Sequence, residues 1–485
     1  MAKTSWRSKL IHILFFVSLV FILSYRLVDT PPGLTVDEAS FGYNAVLLSK
    51  TGHDENGKYM PLFVSSIGGQ DWRQPITQYF IALFFKIFPA SSFTLRFTSI
   101  VITLVSSILI FKLVRKNFSI FTSYLSAILF VFTPIVFIQS HMALDNLMPV
   151  PFIILWLSLV YEYRVKKKLG YLFLSGVSLG FSLYAYKAMR IIVPPLMATT
   201  LLYFCLENKW KIKGITYELG AFLSGVLPFF LIMPYLKTIY PGAVSGGYVF
   251  HFMAWDNFFL PIISAFDLSF LFIKGDALLY HSTGMHGMFL LASLPLFLIG
   301  IYQAIRKNNF WIFVVCSFFS VPLMFGLINS VYRASRFLAM VPPFILISSL
   351  GAEYLFKNSK LTKYFLGVTV VLLLINFGNF ASYYWFKYPK RYIGEYNQTE
   401  DSTYKIFAQE AENRNLRPYV EEDLYNSDGE VSHFLESAYF PQRLSKIKSS
   451  EEVPSGSILL SNRDNIQNMD LINVVIPNFH LLVKN

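Results

Sequence analysis

The chain has 485 residues, of which 54% are hydrophobic and only 14% charged. A soluble domain carries roughly 25% charged residues, so this balance excludes an ordinary water-soluble protein and points to an integral membrane protein. The net charge of +12 sits in short basic runs between apolar stretches, which is the positive-inside pattern and excludes a nucleic-acid-binding stripe.

The first apolar run, 10–26, follows Lys3, Arg7 and Lys9. No small-x-small cleavage site lies near Ser24–Asp29, so the run reads as an uncleaved anchor. Pro31 and Pro32 stop any helix arriving from the membrane. The stretch LTVDEASFGYNA, Leu34–Ala45, restarts one with Asp37 and Glu38 in its first turn, where the positive end of the helix dipole favours acids. Taken locally, Asp37 is a surface helix cap. Residues 27–92 form a long first outer loop. Within it the apolar stretch 75–88 is too short to span, and is expected to lie along the interface with Trp72 and Tyr79 at headgroup depth.

Further apolar runs lie near 93–114, 119–138, 147–162, 170–186, 188–206, 215–236, 287–304, 310–328, 335–355 and 364–384. With the first run they predict about eleven spanning helices. Every second loop is short and basic: Lys112, Arg115 and Lys116; Arg164 and Lys166–Lys168; Lys209, Lys211 and Lys213; Arg306 and Lys307; Lys357, Lys360 and Lys363. Those loops are predicted to be cytoplasmic, together with the N-terminus. The alternate loops hold Asp37–Glu38, Asp145, Arg190, the long stretch 237–286 and Arg333–Arg336. The unusual polar chemistry is therefore expected on the extracytoplasmic face of the plasma membrane.

Beyond residue 386 polar residues return, with strand-like runs at Ser457–Leu460 and Leu471–Ile476. The expected division is a membrane domain, 1–385, and a small extracytoplasmic α/β or α+β domain, 386–485. Cys205 and Cys316 both fall in apolar segments, which argues against a disulfide framework or a zinc site.

Polar groups at membrane level are costly and mark function by default. A carboxylate such as Asp37 can accept the proton of a sugar hydroxyl as its oxygen attacks, with Glu38 beside it. Inverting glycosyl transfer needs one such base, and a phosphate leaving group needs only cations. Asp145, in SHMALDN, is either an N-cap or an acceptor-orienting carboxylate. His141, four residues earlier, shares its helical face. The His141/Asp145 pair admits a divalent metal, but two ligands do not make one a requirement. Lys187, Arg190, Arg333 and Arg336 sit on the outer side against the usual charge bias and suit a lipid phosphate, with Lys274 and His281 able to join them. Arg96 is expected to pair structurally with a loop acid. Walker A, Gly-rich nucleotide loop and G-x-S-x-G motifs are absent.

The pattern resembles the GT-C glycosyltransferases, in the branch that holds protein O-mannosyltransferases and the lipid A aminoarabinose transferase. The resemblance rests on Asp37–Glu38, Phe93–Ser99 with Arg96, His141–Pro149, Tyr184–Arg190, Phe270–Asp276 with His281, and Arg333–Pro343. It covers about the first 385 residues. It implies a GT-C fold, a polyprenyl-phosphate sugar donor, and Asp37 as the base in an inverting transfer to a hydroxyl acceptor of unstated class. It also implies that Asp145 helps to position the acceptor; His141 and Tyr184 are further acceptor-positioning candidates on the same outer side. His141 departs from the arginine that many relatives carry, and the tail lacks the Trp-Trp-Asp-Tyr-Gly signature of asparagine-linked oligosaccharyltransferases.

Two rival readings are a transporter or flippase of lipid-linked sugars and a non-catalytic assembly scaffold. Transporters often show duplicated halves. This chain shows no internal repeat, and its polar residues cluster on one face. The catalytic expectation requires Asp37 and the outer arginines to share one pocket.

Overall fold

The computed structural model describes residues 6–245, 255–327, 333–392, 396, 401–427, 429–441, 443–464, 466–472, 474 and 479–484. Lys3, Ser330–Tyr332, and parts of the stretches 237–286 and 471–476 lie outside the described residues. Among the described residues six helices are long and apolar enough to cross a membrane: Ser92–Asn117, Asp145–Lys166, Met189–Glu207, Ile212–Ile239, Ala334–Lys357 and Lys360–Arg391. The pair Ile120–Phe132 and Pro134–Ser140, bent by 62°, is a broken span or a re-entrant loop. Pro134 explains the bend, because it lacks an N–H and clashes with the preceding turn.

Among the described residues six helices, or seven with the bent pair, reach spanning length, against about eleven expected. The runs 10–26, 170–186 and 310–328 fold as the shorter apolar helices Lys9–Ser24, Leu169–Ser182 and Asn309–Ser320. The run at 287–304 becomes an α-helix only from Leu294, after a 3-10 turn at Leu291–Ser293. A hydropathy window counts apolar residues and is blind to where the backbone breaks.

The chain divides into two compact units. The first comprises Met1–Tyr25, Ser99–His141 and Asp145–Tyr384 and is helical. Its helices Leu169–Ser182 and Ile212–Leu231 approach backbone to backbone, since a Cβ on Gly176 would overlap the Phe222 carbonyl and one on Gly225 the Phe173 carbonyl. Small residues permit such close helix contact in an apolar setting. Gly300 and Gly351 play the same part between Leu294–Lys307 and Val341–Lys357.

The second unit comprises Arg26–Thr98, Met142–Leu144 and Trp385–Asn485. At its centre is the helix Val36–Thr51, which begins in a capping box between Thr35 and Glu38. That box satisfies two of the four orphan amides at a helix start. Gly52, at φ 75°, ends the helix in the left-handed conformation that a Cβ disfavours. A hairpin follows, β1 (Val64–Ser66) and β2 (Asp71–Arg73), then the helix Pro75–Ile87.

The tail of this unit is a mixed five-stranded sheet: β3 (Arg417–Glu421), β4 (Ser445–Ile447), β5 (Ser457–Ser461), β6 (Asp470–Leu471) and β7 (His480–Lys484). The order is β4-β3-β5-β7-β6, with β3 parallel to both neighbours and β7 antiparallel to both of its own. Parallel neighbours need long connections, and the helices Glu422–Ser427 and Glu430–Tyr439 supply the one between β3 and β4.

Residues 26–98 group with this tail for a packing reason. Phe41, Ala45 and Leu95 share one core with Phe407, Val431, Phe434 and Leu460. A Cβ on Gly42 would stand 2.7 Å from the Phe434 ring, so only glycine lets the two helices close. Lys50 Nζ adds a hydrogen bond to the Ser437 carbonyl at 3.0 Å.

Candidate active site

The two neighbouring acids of the Val36–Thr51 helix have different surroundings. Asp37 keeps a side-chain exposure of 56%, and its Oδ1 lies 2.9 Å from Nη2 of Arg73, which is buried. Arg73 comes from β2 and is held on every side. Its Nε donates to Ser40 Oγ at 3.0 Å and Ser66 Oγ at 2.9 Å, and Nη1 meets Asp71 Oδ2 at 3.2 Å. Its guanidinium also lies over the Phe41 ring at 4.7 Å. A fixed cation thus presents itself to a solvent-reachable carboxylate. Arg73 has no role in the sequence reading; its only signal is an arginine two residues before Pro75, on the predicted outer side.

Glu38 is buried. It accepts from Arg96 Nε at 2.9 Å, from the Ala143 amide at 3.0 Å and from the Thr35 amide at 3.1 Å. The Arg96 guanidinium also donates to the carbonyls of Leu27, Val28 and Pro31. Arg96 therefore does pair with a loop acid, and that acid is Glu38. A carboxylate so saturated ties three chain segments together and has no room for a substrate.

Two further carboxyls surround Arg73. Burial raises Glu55, and hydrogen bonds from Asn44 and Gly68 with the Arg73 charge oppose the rise. Burial and the Glu55 charge push Glu430 up to about 7, again opposed by Arg73. Glu430 Oε2 is buried and lacks a hydrogen-bond donor among the described residues.

The first unit holds the other candidates. The 3-10 turn Asp145–Leu147 packs on the 3-10 helix Ala334–Met340, which carries Arg336. Asp145 is half-buried and does not cap the next helix, whose N-cap is Met148. Arg333 Nη1 lies 3.3 Å from Asp276 Oδ1, and Asp276 Oδ2 accepts the Ala334 amide at 2.7 Å. Asp276 so caps the 3-10 helix and aims Arg333, a role the sequence did not disclose. His281 Nδ1 stands 3.3 Å from Nε2 of Gln139, whose Oε1 accepts from Asn146 at 3.1 Å. Gln139, unremarked in the sequence, thereby links the His281 segment to the Asp145 turn.

Three predicted residues have structural duties in this unit. Arg190 Nη1 donates to the carbonyls of Ala243 and Val244. Tyr184 donates its hydroxyl to the Phe229 carbonyl at 3.0 Å. His141 is buried, with Nδ1 2.8 Å from the Phe137 carbonyl and its ring against Tyr384. Lys187 is half-buried on the turn before Met189–Glu207. Among the described residues no group of three or more His, Cys, Asp or Glu is placed to hold a metal ion, so the His141/Asp145 pair gains no third ligand from these types.

The sequence matches the family described as dolichyl-phosphate-mannose-protein mannosyltransferase over residues 73–236. No curated protein sequence matches it. Among solved structures, ArnT from Cupriavidus metallidurans in the apo state is similar over 97% of both chains, at 11% identity and a TM-score of 0.54. The same protein bound to undecaprenyl phosphate is similar over 97% of both chains, at 9% identity and a TM-score of 0.55. An oligosaccharyltransferase from Archaeoglobus fulgidus, in complex with Zn and sulfate, is similar over 89% of this chain and 62% of its own. There the identity is 12% and the TM-score 0.51. At these identities the likeness is one of fold, and the fold is that of an integral membrane protein.

Proposed function

We propose that this chain is a glycosyltransferase of the GT-C type that moves a sugar from a polyprenyl-phosphate donor to a hydroxyl acceptor. The observation that carries the proposal is the exposed Asp37 carboxylate held by the buried Arg73. The acceptor oxygen attacks the anomeric carbon while the bond from that carbon to the phosphate oxygen breaks, and configuration inverts. The polyprenyl phosphate leaves with the electron pair, and the acceptor's proton passes to Asp37. Arg333, Arg336 and Lys187 supply positive charge for the leaving phosphate, for which no general acid is then needed. Arg190 and His281 remain secondary phosphate candidates. Asp145 positions the acceptor, while His141 and Tyr184 act by holding their own segments through the Phe137 and Phe229 carbonyls. A divalent metal is not required by this scheme.

The matched family's description and the undecaprenyl phosphate bound by ArnT support a lipid-phosphate donor. The alternating basic loops support a plasma-membrane orientation with the N-terminus cytoplasmic and the tail outside. The test is purified full-length protein incubated with a polyprenyl-phosphate sugar and a hydroxyl acceptor, read by mass spectrometry. A mass increase of one sugar, lost in Asp37→Asn with donor binding retained, is expected. Full turnover in that variant overturns the assignment of the base.

A further inference from the structure

The helical unit carries a cavity that the proposed chemistry does not use. It has a volume of about 530 Å³ and lies where Ser92–Asn117, Leu294–Lys307 and Val341–Lys357 end. Arg306, Lys307, Lys357, Gln303, Asn117 and Asn358 are among its lining residues.

The charge balance of this cavity is uneven. Its one acid, Glu353, is buried and already saturated. It accepts from the Ser119 hydroxyl at 2.7 Å and the Thr122 hydroxyl at 2.6 Å, and Lys357 Nζ lies 2.7 Å away. Arg306 and Lys307 have no carboxylate within ion-pair distance among the described residues. Aromatic faces hold them instead. The Arg306 guanidinium stands 4.1 Å from the Tyr302 ring centre, and Lys307 Nζ 4.5 Å from that of Phe118 and 5.2 Å from that of Trp311. Such contacts orient a cation without neutralising it. With Lys357 paired to Glu353, two positive charges without a carboxylate and three amide side chains line one cavity, a donor set suited to phosphate oxygens.

The same helix says which phosphate. Leu298, Tyr302 and Ile305 are exposed by 56%, 50% and 65%. Their i, i+4, i+7 spacing places them on one face, so an apolar stripe runs away from the cationic end. A phosphate carrying acyl chains meets both features, and a soluble phosphate meets only the first. We propose that this cavity binds the phosphate headgroup of an anionic membrane lipid, with its chains along Leu298, Tyr302 and Ile305. Basic pockets between spanning helices take anionic headgroups in this way. Under the orientation proposed above the site faces the cytoplasmic leaflet, opposite the transfer chemistry. The binding itself does not depend on the transfer reaction.

The test is native mass spectrometry of the full chain in detergent, titrated with phosphatidylglycerol or with phosphatidylcholine of the same acyl chains. The unaltered protein is expected to retain phosphatidylglycerol in preference. Arg306→Gln with Lys307→Gln should weaken that binding about 30-fold. Arg306→Lys with Lys307→Arg should hold it within about twofold, as should Lys360→Gln with Lys363→Gln, which removes equal charge outside the cavity. Equal binding of the two lipids by the unaltered protein overturns the proposal whether or not any variant folds. So does equal weakening by both glutamine pairs. Displacement of bound phosphatidylglycerol by millimolar inorganic phosphate overturns the lipid assignment and makes the cavity a soluble phosphate site.

Discussion

Arg96 closes on Glu38 with Nε 2.9 Å from Oε1, and both side chains are shut away from water. The pair separates two consecutive acids by task. Glu38 completes the capping box and takes the Ala143 amide, so it holds the helix that carries Asp37. Asp37, one residue earlier, faces outward to Arg73.

Asp37→Asn keeps the shape of an exposed side chain and removes its charge. Turnover should fall by about 10²- to 10⁴-fold, the usual worth of a positioned base. Thermal stability should fall by only about 1 kcal/mol, because Asp37 is exposed and Asp71 still pairs Arg73. Single-turnover kinetics and a melting curve check the two halves separately.

Glu38→Ala should behave in the opposite way. It leaves the Arg96 guanidinium buried without its carboxylate, which costs about 3–5 kcal/mol. Reduced yield of folded protein and a lower melting temperature are expected. A Glu38→Ala protein that melts like the unaltered chain would show that the pair carries no structural weight.

Arg73→Lys tests the fork. A lysine keeps the charge but not the set of donors that now reaches Asp37, Asp71, Ser40 and Ser66. Unpaired hydroxyls and lost hydrogen bonds should cost about 1–3 kcal/mol. Turnover should fall while some activity survives, and Arg73→Gln should lose more. Indistinguishable rates in Lys, Gln and Arg proteins would remove Arg73 from the site.

Glu430 supplies a pH signature. Its carboxyl in the folded protein holds a proton up to about pH 7, against an ordinary value of 4.5. The unfolded chain releases that proton first, so stability should fall as pH rises from about 4.5 to about 7 and level off above. The drop due to this group is about 1 kcal/mol once solvent screening is allowed for. Glu430→Gln should flatten that part of a melting-temperature profile, and an unchanged slope would place the proton elsewhere.

Features that depend on near neighbours were legible in the sequence. Apolar runs marked the helices because hydrophobicity along a few turns decides whether a segment leaves water. The proline pair and the acids mark where a helix restarts, although its N-cap is Thr35 and not Asp37. The acid pair and the outer arginines stood out because charge is costly at membrane level. What the sequence left open were pairings between distant residues. Arg96 reaches Glu38 across 58 positions, Arg73 reaches Asp37 from another element, and Phe434 closes on Gly42 from the tail. Local periodicity carries no information about which of several arginines meets which acid. Only the folding of the first outer loop and the tail around one apolar core decided that Glu38 would be buried and Asp37 left open.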